Sequence, residues 1–274
     1  MSLPERFSIP LERELIGLTG RDRQSFLQGM VTNDVASLTA GQGCYAFHLT
    51  SKGQILADCR IACLDDSLLL DTEPGWGEPL AASLEHHLVM ERVKIALRKE
   101  TVYFVSGESY PGLETEGANR PEGEGLIVRG ALGYFLYSVP APTLPTLAES
   151  DYEALRIETG IPRGRVDFDE KTLAPETGQA ARAIHYKKGC YIGQEVVARI
   201  DARGHTNRTL VRLTLERCVA PHTPILVEEK EAGWVTSCAI SPTLGVPVAL
   251  GYIRNEFAIS GTTVFAAETK GTVR

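Results

Sequence analysis

The sequence has no C-x-x-C pair, no apolar run of about 18 residues and no charged-then-apolar leader. Each absence excludes something. The six cysteines are Cys44, Cys59, Cys63, Cys190, Cys218 and Cys238. Only Cys59 and Cys63 are close, in a strand-like run without a neighbouring histidine. That spacing supports neither a disulfide framework nor a zinc site, so no metal is expected. Without a long apolar run no membrane span is expected. Without a leader the chain is expected to be cytoplasmic. Net charge is −7, which argues against nucleic acid as a nonspecific partner. No recognition motif or aromatic run accompanies its basic residues.

What remains is an ordinary globular composition, 43% hydrophobic and 23% charged over 274 residues. That length fits two or three subdomains rather than one small core. The charge is uneven. From residue 182 to 212 seven Lys/Arg face two acids, a local +5 that leaves −12 elsewhere. A solvated charged face is the common explanation of such a segment; a small anionic ligand is the other.

Alternation predicts a strand over 14–20, and Asp22 can cap the helix that follows. Strands over 44–50, 54–62 and 67–71 are joined by Ser51-Lys52-Gly53 and Asp65-Asp66, as in a meander. Leu80, Leu84 and Leu88 predict a helix over 79–90, with His86 and His87 on its surface. Strands over 93–97 and 102–105 follow. The Gly-, Pro- and Glu-rich stretch 108–124 reads as an exposed loop, and 126–129 with 134–137 as a hairpin. A helix is expected over 151–159, ended by Gly160. From 207 on, short strands with Gly and Pro punctuation predict a small antiparallel barrel. Asp58 is a carboxylate in mid-strand, where aspartate is disfavoured. It could face solvent beside Arg60.

One stretch organises the rest: Lys187-Lys188-Gly189-Cys190-Tyr191-Ile192-Gly193-Gln194-Glu195, continuing to Arg199, Arg203 and Arg208. Ile192, Val196 and Ile200 make one helical stripe, which puts Cys190 in a first turn after Gly189. There, free N–H groups and the two lysines would favour a thiolate. A lone cysteine beside glycine is ordinarily a small buried apolar residue. The density of special residues here favours a reactive thiol.

Lys188-Gly189-Cys190-Tyr191-Ile192-Gly193-Gln194-Glu195 resembles the K-G-C-Y-x-G-Q-E signature of the YgfZ family. Those folate-binding proteins are related to the glycine cleavage T-protein, an aminomethyltransferase, and are linked to iron–sulfur enzymes and tRNA modification. Three further blocks carry the resemblance. Gly20 to Val35 is similar to the opening of both families. Arg156-Ile157-Glu158-Thr159-Gly160-Ile161-Pro162 matches R-x-E-x-G-[IL]-P. Gly53 to Asp58 is similar to the T-protein segment G-G-x-x-D-D, with Ala57 in place of its first acid. Thr223 to Leu226, Gly233 to Ser237, Ser241 to Leu244 and Ala249 to Tyr252 resemble the T-protein barrel.

The resemblance implies an α+β fold of three lobes: two ferredoxin-like units and a C-terminal antiparallel barrel around a central channel. Residues 1–140 and 141–205 would form the folate-binding region and 206–274 the barrel. The implied ligand is tetrahydrofolate or another reduced folate. Glu158 would take the pterin edge through paired hydrogen bonds, helped by Arg156. Asp58 would lie by the reactive nitrogens. Tyr191, Gln194, Glu195, Arg199 and Arg208 complete the implied cofactor-binding set, with Arg199, Arg203 or Arg208 steering the anionic tail. Cys190 and Asp58 are the implied catalytic pair. The implied function is support of iron–sulfur enzyme assembly or repair, with client or assembly proteins as partners. A true aminomethyl or one-carbon transferase is the alternative, needing an acid–base carboxylate rather than a thiol. A folate-binding regulator without chemistry is a third.

Overall fold

The computed structural model describes residues 3–204 and 206–274. Along the chain run β1 (Phe7–Thr19), α1 (Arg23–Met30), β2 (Gly43–Leu49), β3 (Ile55–Cys63), β4 (Ser67–Thr72), α2 (Gly77–His86) and β5 (Lys94–Ser106). Then come β6 (Asn119–Glu122), β7 (Gly125–Arg129), β8 (Tyr134–Tyr137), α3 (Glu149–Thr159), α4 (Ala180–Ala183) and α5 (Gln194–Arg203). The chain closes with β9 (Arg208–Leu215), β10 (Pro224–Val227), β11 (Lys230–Ile240), β12 (Pro247–Arg254), β13 (Thr263–Ala266) and β14 (Thr269–Val273). Two compact units result. Pro4–Leu147 with Ala180–Val196 form a sheet unit; Leu3, Ala148–Gln179 and Val197–Arg274 belong to a barrel unit.

In the sheet unit eight antiparallel strands run in the order β2-β3-β4-β1-β5-β8-β7-β6. The two α+β halves do not stand apart: β1 joins them, pairing β4 on one side and β5 on the other. The sheet curls until its ends meet, for the Asn119 N–H donates to the Gly41 carbonyl at 2.8 Å. Glycine is required at that closure, since a Cβ on Gly43 would sit 2.7 Å from the Gly117 carbonyl oxygen. The expected meander is present as β2, β3 and β4.

Several boundaries differ from expectation. The strands expected over 93–97 and 102–105 are one strand, β5, whose charged middle (Arg98, Lys99, Glu100) broke the apolar pattern. The helix expected over 79–90 ends at His86, and Val89 and Met90 are exposed. Within the loop expected over 108–124, Asn119–Glu122 pairs as β6. Asp22 does not cap α1 with its side chain; its Oδ2 accepts from the Arg92 N–H at 2.8 Å.

In the barrel unit β10-β11-β12-β9-β14-β13 close on themselves. Leu213, Leu215, Ile225, Val235, Ile253 and Val264 fill the core. Ile157 of α3 packs on Leu210, Val248, Leu250 and Tyr252. The α+β class and the closed C-terminal barrel follow the sequence reading. Among the described residues no helix is long and apolar enough to cross a membrane.

Candidate functional site

In the sheet unit Asp58 lies on β3 and is 8% exposed. Its Oδ2 accepts from the Tyr45 hydroxyl at 2.8 Å, and its Oδ1 is buried without a partner. It does not pair with Arg60 as the alternation allowed. Arg60 donates instead to Asp71 Oδ2, from Nε at 2.9 Å and Nη2 at 2.6 Å. Burial, reinforced by the nearby Glu73 carboxylate, pushes the Asp58 carboxyl up to about 6. A carboxyl poised there can hold or release a proton near neutral pH.

Asp71 anchors the network beside it. Arg13 Nε donates to its Oδ1 at 2.6 Å and the Tyr137 hydroxyl to its Oδ2 at 2.5 Å, while Arg13 Nη1 donates to Glu73. Sequence reading missed this network. Its signal was a set of opposite charges inside strands otherwise apolar, at Arg13, Arg60 and Asp71.

The raised Asp58 value fixes a sign. Unfolded, the carboxyl titrates near 3.8; folded, near 6. Between these the folded state binds more protons, so this group's stabilising contribution is present below about pH 4 and lost as pH rises through about 6. Asp58→Asn is therefore expected to flatten stability over that window. At pH 7 it should gain up to about 3 kcal/mol, from two pH units at ~1.4 kcal/mol each. Urea titrations of both proteins from pH 4 to 8 check this; parallel profiles would show an Asp58 that ionises normally.

The signature segment packs against the same unit. Lys188 is buried, and its ammonium donates to the carbonyls of Gln28 (2.7 Å), Val31 (2.6 Å) and Asn33 (2.6 Å). It holds the turn after α1 rather than serving the thiol as expected. Gly193 has φ +85°, and a Cβ there would lie 2.6 Å from the Thr50 carbonyl oxygen. Gly53 has φ +75° and fits under Val196, 2.9 Å from a would-be Cβ. The signature glycine thus locks the segment onto the β2–β3 turn. Gly193 also delays the helix: α5 starts at Gln194, so Cys190 lies in the loop before it and not in its first turn. The thiol is exposed, while Tyr191 is buried and its hydroxyl pushed up to about 12 by that burial. Gln194 is half-buried and Glu195 exposed.

In the barrel unit Glu158 ends α3 half-buried, its Oε2 accepting from the Ser241 hydroxyl at 2.7 Å and the Thr243 N–H at 3.4 Å. Arg156, two residues earlier, is 1% exposed. It donates to Asp167 at 2.6 Å and through Nη2 and Nε to Glu153 at 2.5 and 2.9 Å. Asp167 in turn accepts from Thr236 (2.5 Å) and Ser237 (2.7 Å) of β11. Arg156 thus tethers α3 to the barrel. Arg208 donates to Glu176 at 3.1 Å and stacks over Trp234 (4.8 Å) and Tyr252 (5.2 Å), with its Nε buried and unpartnered. Arg208, Trp234 and Tyr252 edge a recess of about 210 Å³. Arg199 and Arg203 are exposed on α5.

Residues 208–273 match the glycine cleavage T-protein C-terminal barrel domain. The tRNA-modifying protein YgfZ of Escherichia coli O157:H7 is 30% identical over 224 residues, covering 73% of this chain and 69% of that protein. The protein of the same name from Vibrio vulnificus is 30% identical over 244 residues, covering 78% and 72%. Among solved structures, the glycine cleavage system aminomethyltransferase T from Bartonella henselae aligns with a TM-score of 0.85 at 19% identity, over 98% of this chain and 85% of that one.

Proposed function

The chain belongs to the YgfZ family, and on that footing we propose that it is a tetrahydrofolate-dependent protein supporting assembly or repair of iron–sulfur enzymes in the cytoplasm. Tetrahydrofolate, when bound, supplies a carrier for one-carbon units. The process served is the tRNA modification in its relatives' name.

The observation that carries the folate reading is the buried Asp58 Oδ1 without a partner. An orphaned carboxylate oxygen costs free energy unless a ligand N–H satisfies it, and the N–H groups of a reduced pterin suit it. Asp58 then holds a proton at its Oδ1 or accepts one there. In the barrel unit taken by itself, Glu158, oriented by Ser241, is a carboxylate suited to an aminopyrimidine edge. Arg208, pinned by Glu176, Trp234 and Tyr252, and Arg199 are cations suited to an anionic tail. Tyr191, Gln194 and Glu195 shape the loop that presents Cys190 to solvent, where its thiol can meet a client protein. Arg156 acts by holding α3, and so Glu158, in place.

Cys190→Ser tests the thiol. Expected are loss of iron–sulfur enzyme rescue in cells lacking a family member, and unchanged calorimetric binding of 5-formyltetrahydrofolate. Full rescue by the variant removes the thiol from the function; absent binding by the native protein removes the folate. The near-neutral Asp58 carboxyl also favours a second reading, an aminomethyl or one-carbon transferase with Asp58 as acid–base. That reading requires turnover with an aminomethyl donor, undiminished by Cys190→Ser.

A further inference from the structure

The sheet unit holds a hollow at the other end of the Asp71 network from Asp58. Arg60 pairs with Asp71 across β3 and β4, so Asp58 lies toward Glu73. The hollow takes in Ser67, Leu68 and Leu69 in the opposite direction. It measures about 780 Å³, within the roughly 300–1,000 Å³ of small-molecule sites. Of the residues in the Asp58–Asp71 network it includes only Tyr137, whose hydroxyl is committed to Asp71.

Two features point to a ligand. The first is the floor. Gly17 on β1 and Ala96 on β5 are register partners and both line the hollow. Gly17 is not in the left-handed region, and a Cβ there would meet only the Ala96 carbonyl oxygen, at 3.9 Å. Neither turn geometry nor crowding calls for glycine here. A glycine inside a strand weakens it and commonly marks a place where something approaches the backbone closely. With no side chain on Gly17 and only a methyl on Ala96, the peptide surface there is open to the face of a planar ring.

The second is Asn119. It is 3% exposed and lines the hollow. Its Nδ2 donates to the carbonyls of Gln42 at 2.7 Å and Gly117 at 3.0 Å. Its Oδ1 is buried with no donor. Those two bonds fix the amide so that only its acceptor remains, which demands an N–H or O–H from a ligand. Charge does not add a preference. Asp65, Asp66 and Glu124 share the rim with Lys94 and Arg98.

We propose that this hollow binds an uncharged, planar heteroaromatic ring bearing an N–H donor, of nucleoside size. The ring lies on the Gly17–Ala96 floor and donates to Asn119 Oδ1. This site uses none of Asp58, Glu158 or Cys190.

Inosine is the probe, titrated by calorimetry into the full-length protein. Expected are one site and binding about tenfold weaker for N1-methylinosine, which lacks the ring N–H. Ala96→Leu fills the floor on a half-open strand face and should weaken inosine by about tenfold or more while the urea midpoint holds. Gly17→Val fills it from the neighbouring strand and replaces Ala96→Leu if that variant does not fold. Saturating 5-formyltetrahydrofolate should leave inosine binding unchanged. No inosine binding up to its solubility overturns the proposal, as do equal affinities for the methylated probe or the filled variant. Displacement by the folate also overturns it, by placing the nucleoside in the folate site.

Discussion

Asp71→Ala is expected to destabilise the sheet unit by about 3–5 kcal/mol, the scale of breaking a buried ion pair by removing one partner. Asp71 is 2% exposed and accepts from Arg13, Arg60 and Tyr137 together. Without it the buried Arg13 guanidinium loses one of its two carboxylates and keeps Glu73, while Arg60 and the Tyr137 hydroxyl lose the bonds they make to Asp71. Burial alone would raise the Asp71 carboxyl; Arg13 and Arg60 outweigh it and hold it below the usual carboxylate range. Its stabilising contribution is therefore present above the unfolded carboxyl value near 3.8 and lost as pH falls through the folded one. Urea unfolding at pH 7 reads the loss as a lowered midpoint, and the variant's deficit should shrink under acid. A variant within about 0.5 kcal/mol of the native protein, the range of an ordinary surface change, would mean the network contributes little.

Arg156→Met should have a similar cost, about 3–5 kcal/mol, in the barrel unit. Methionine keeps the apolar stem but leaves Asp167 without its guanidinium. Asp167 would keep the hydroxyls of Thr236 and Ser237 and the Arg163 N–H, so collapse need not be complete. Calorimetric unfolding checks the loss. A direct ligand contact predicts otherwise: weakened folate binding at native stability. Arg156→Lys separates the two further, since a lysine can reach one carboxylate but cannot bridge Asp167 and Glu153 together.

Local pattern carried much of this architecture. Apolar runs between turn signals marked β2, β3 and β4, and even strand spacing marked the barrel. The role of β1 was invisible, because pairing with both β4 and β5 is decided by residues some fifty to a hundred positions away in sequence. The charged middle of β5 looked like a break because Lys94, Ala96 and Arg98 border an open hollow rather than core. Residue type alone pointed to Asp58 and Cys190, one a misplaced carboxylate and the other a thiol among glycines. It misjudged their surroundings. A helical stripe does not reveal that Gly193 adopts φ +85° and postpones α5 past the cysteine. Nor does a pair of adjacent lysines reveal that Lys188 turns inward to three carbonyls.

The chain passes between its two units at residues 3/4, 147/148, 179/180 and 196/197. The barrel match begins only at 208. Yet α3, which covers β11 and β12, and Asp167, which takes the hydroxyls of Thr236 and Ser237, both precede residue 180. Transplanting 208–273 between relatives would set those two hydroxyls and Tyr252 against an α3 segment from another parent. Viable chimaeras should instead inherit 148–179 and the barrel from one parent. Among natural relatives, drift in the two segments is expected to be correlated although some thirty residues separate them.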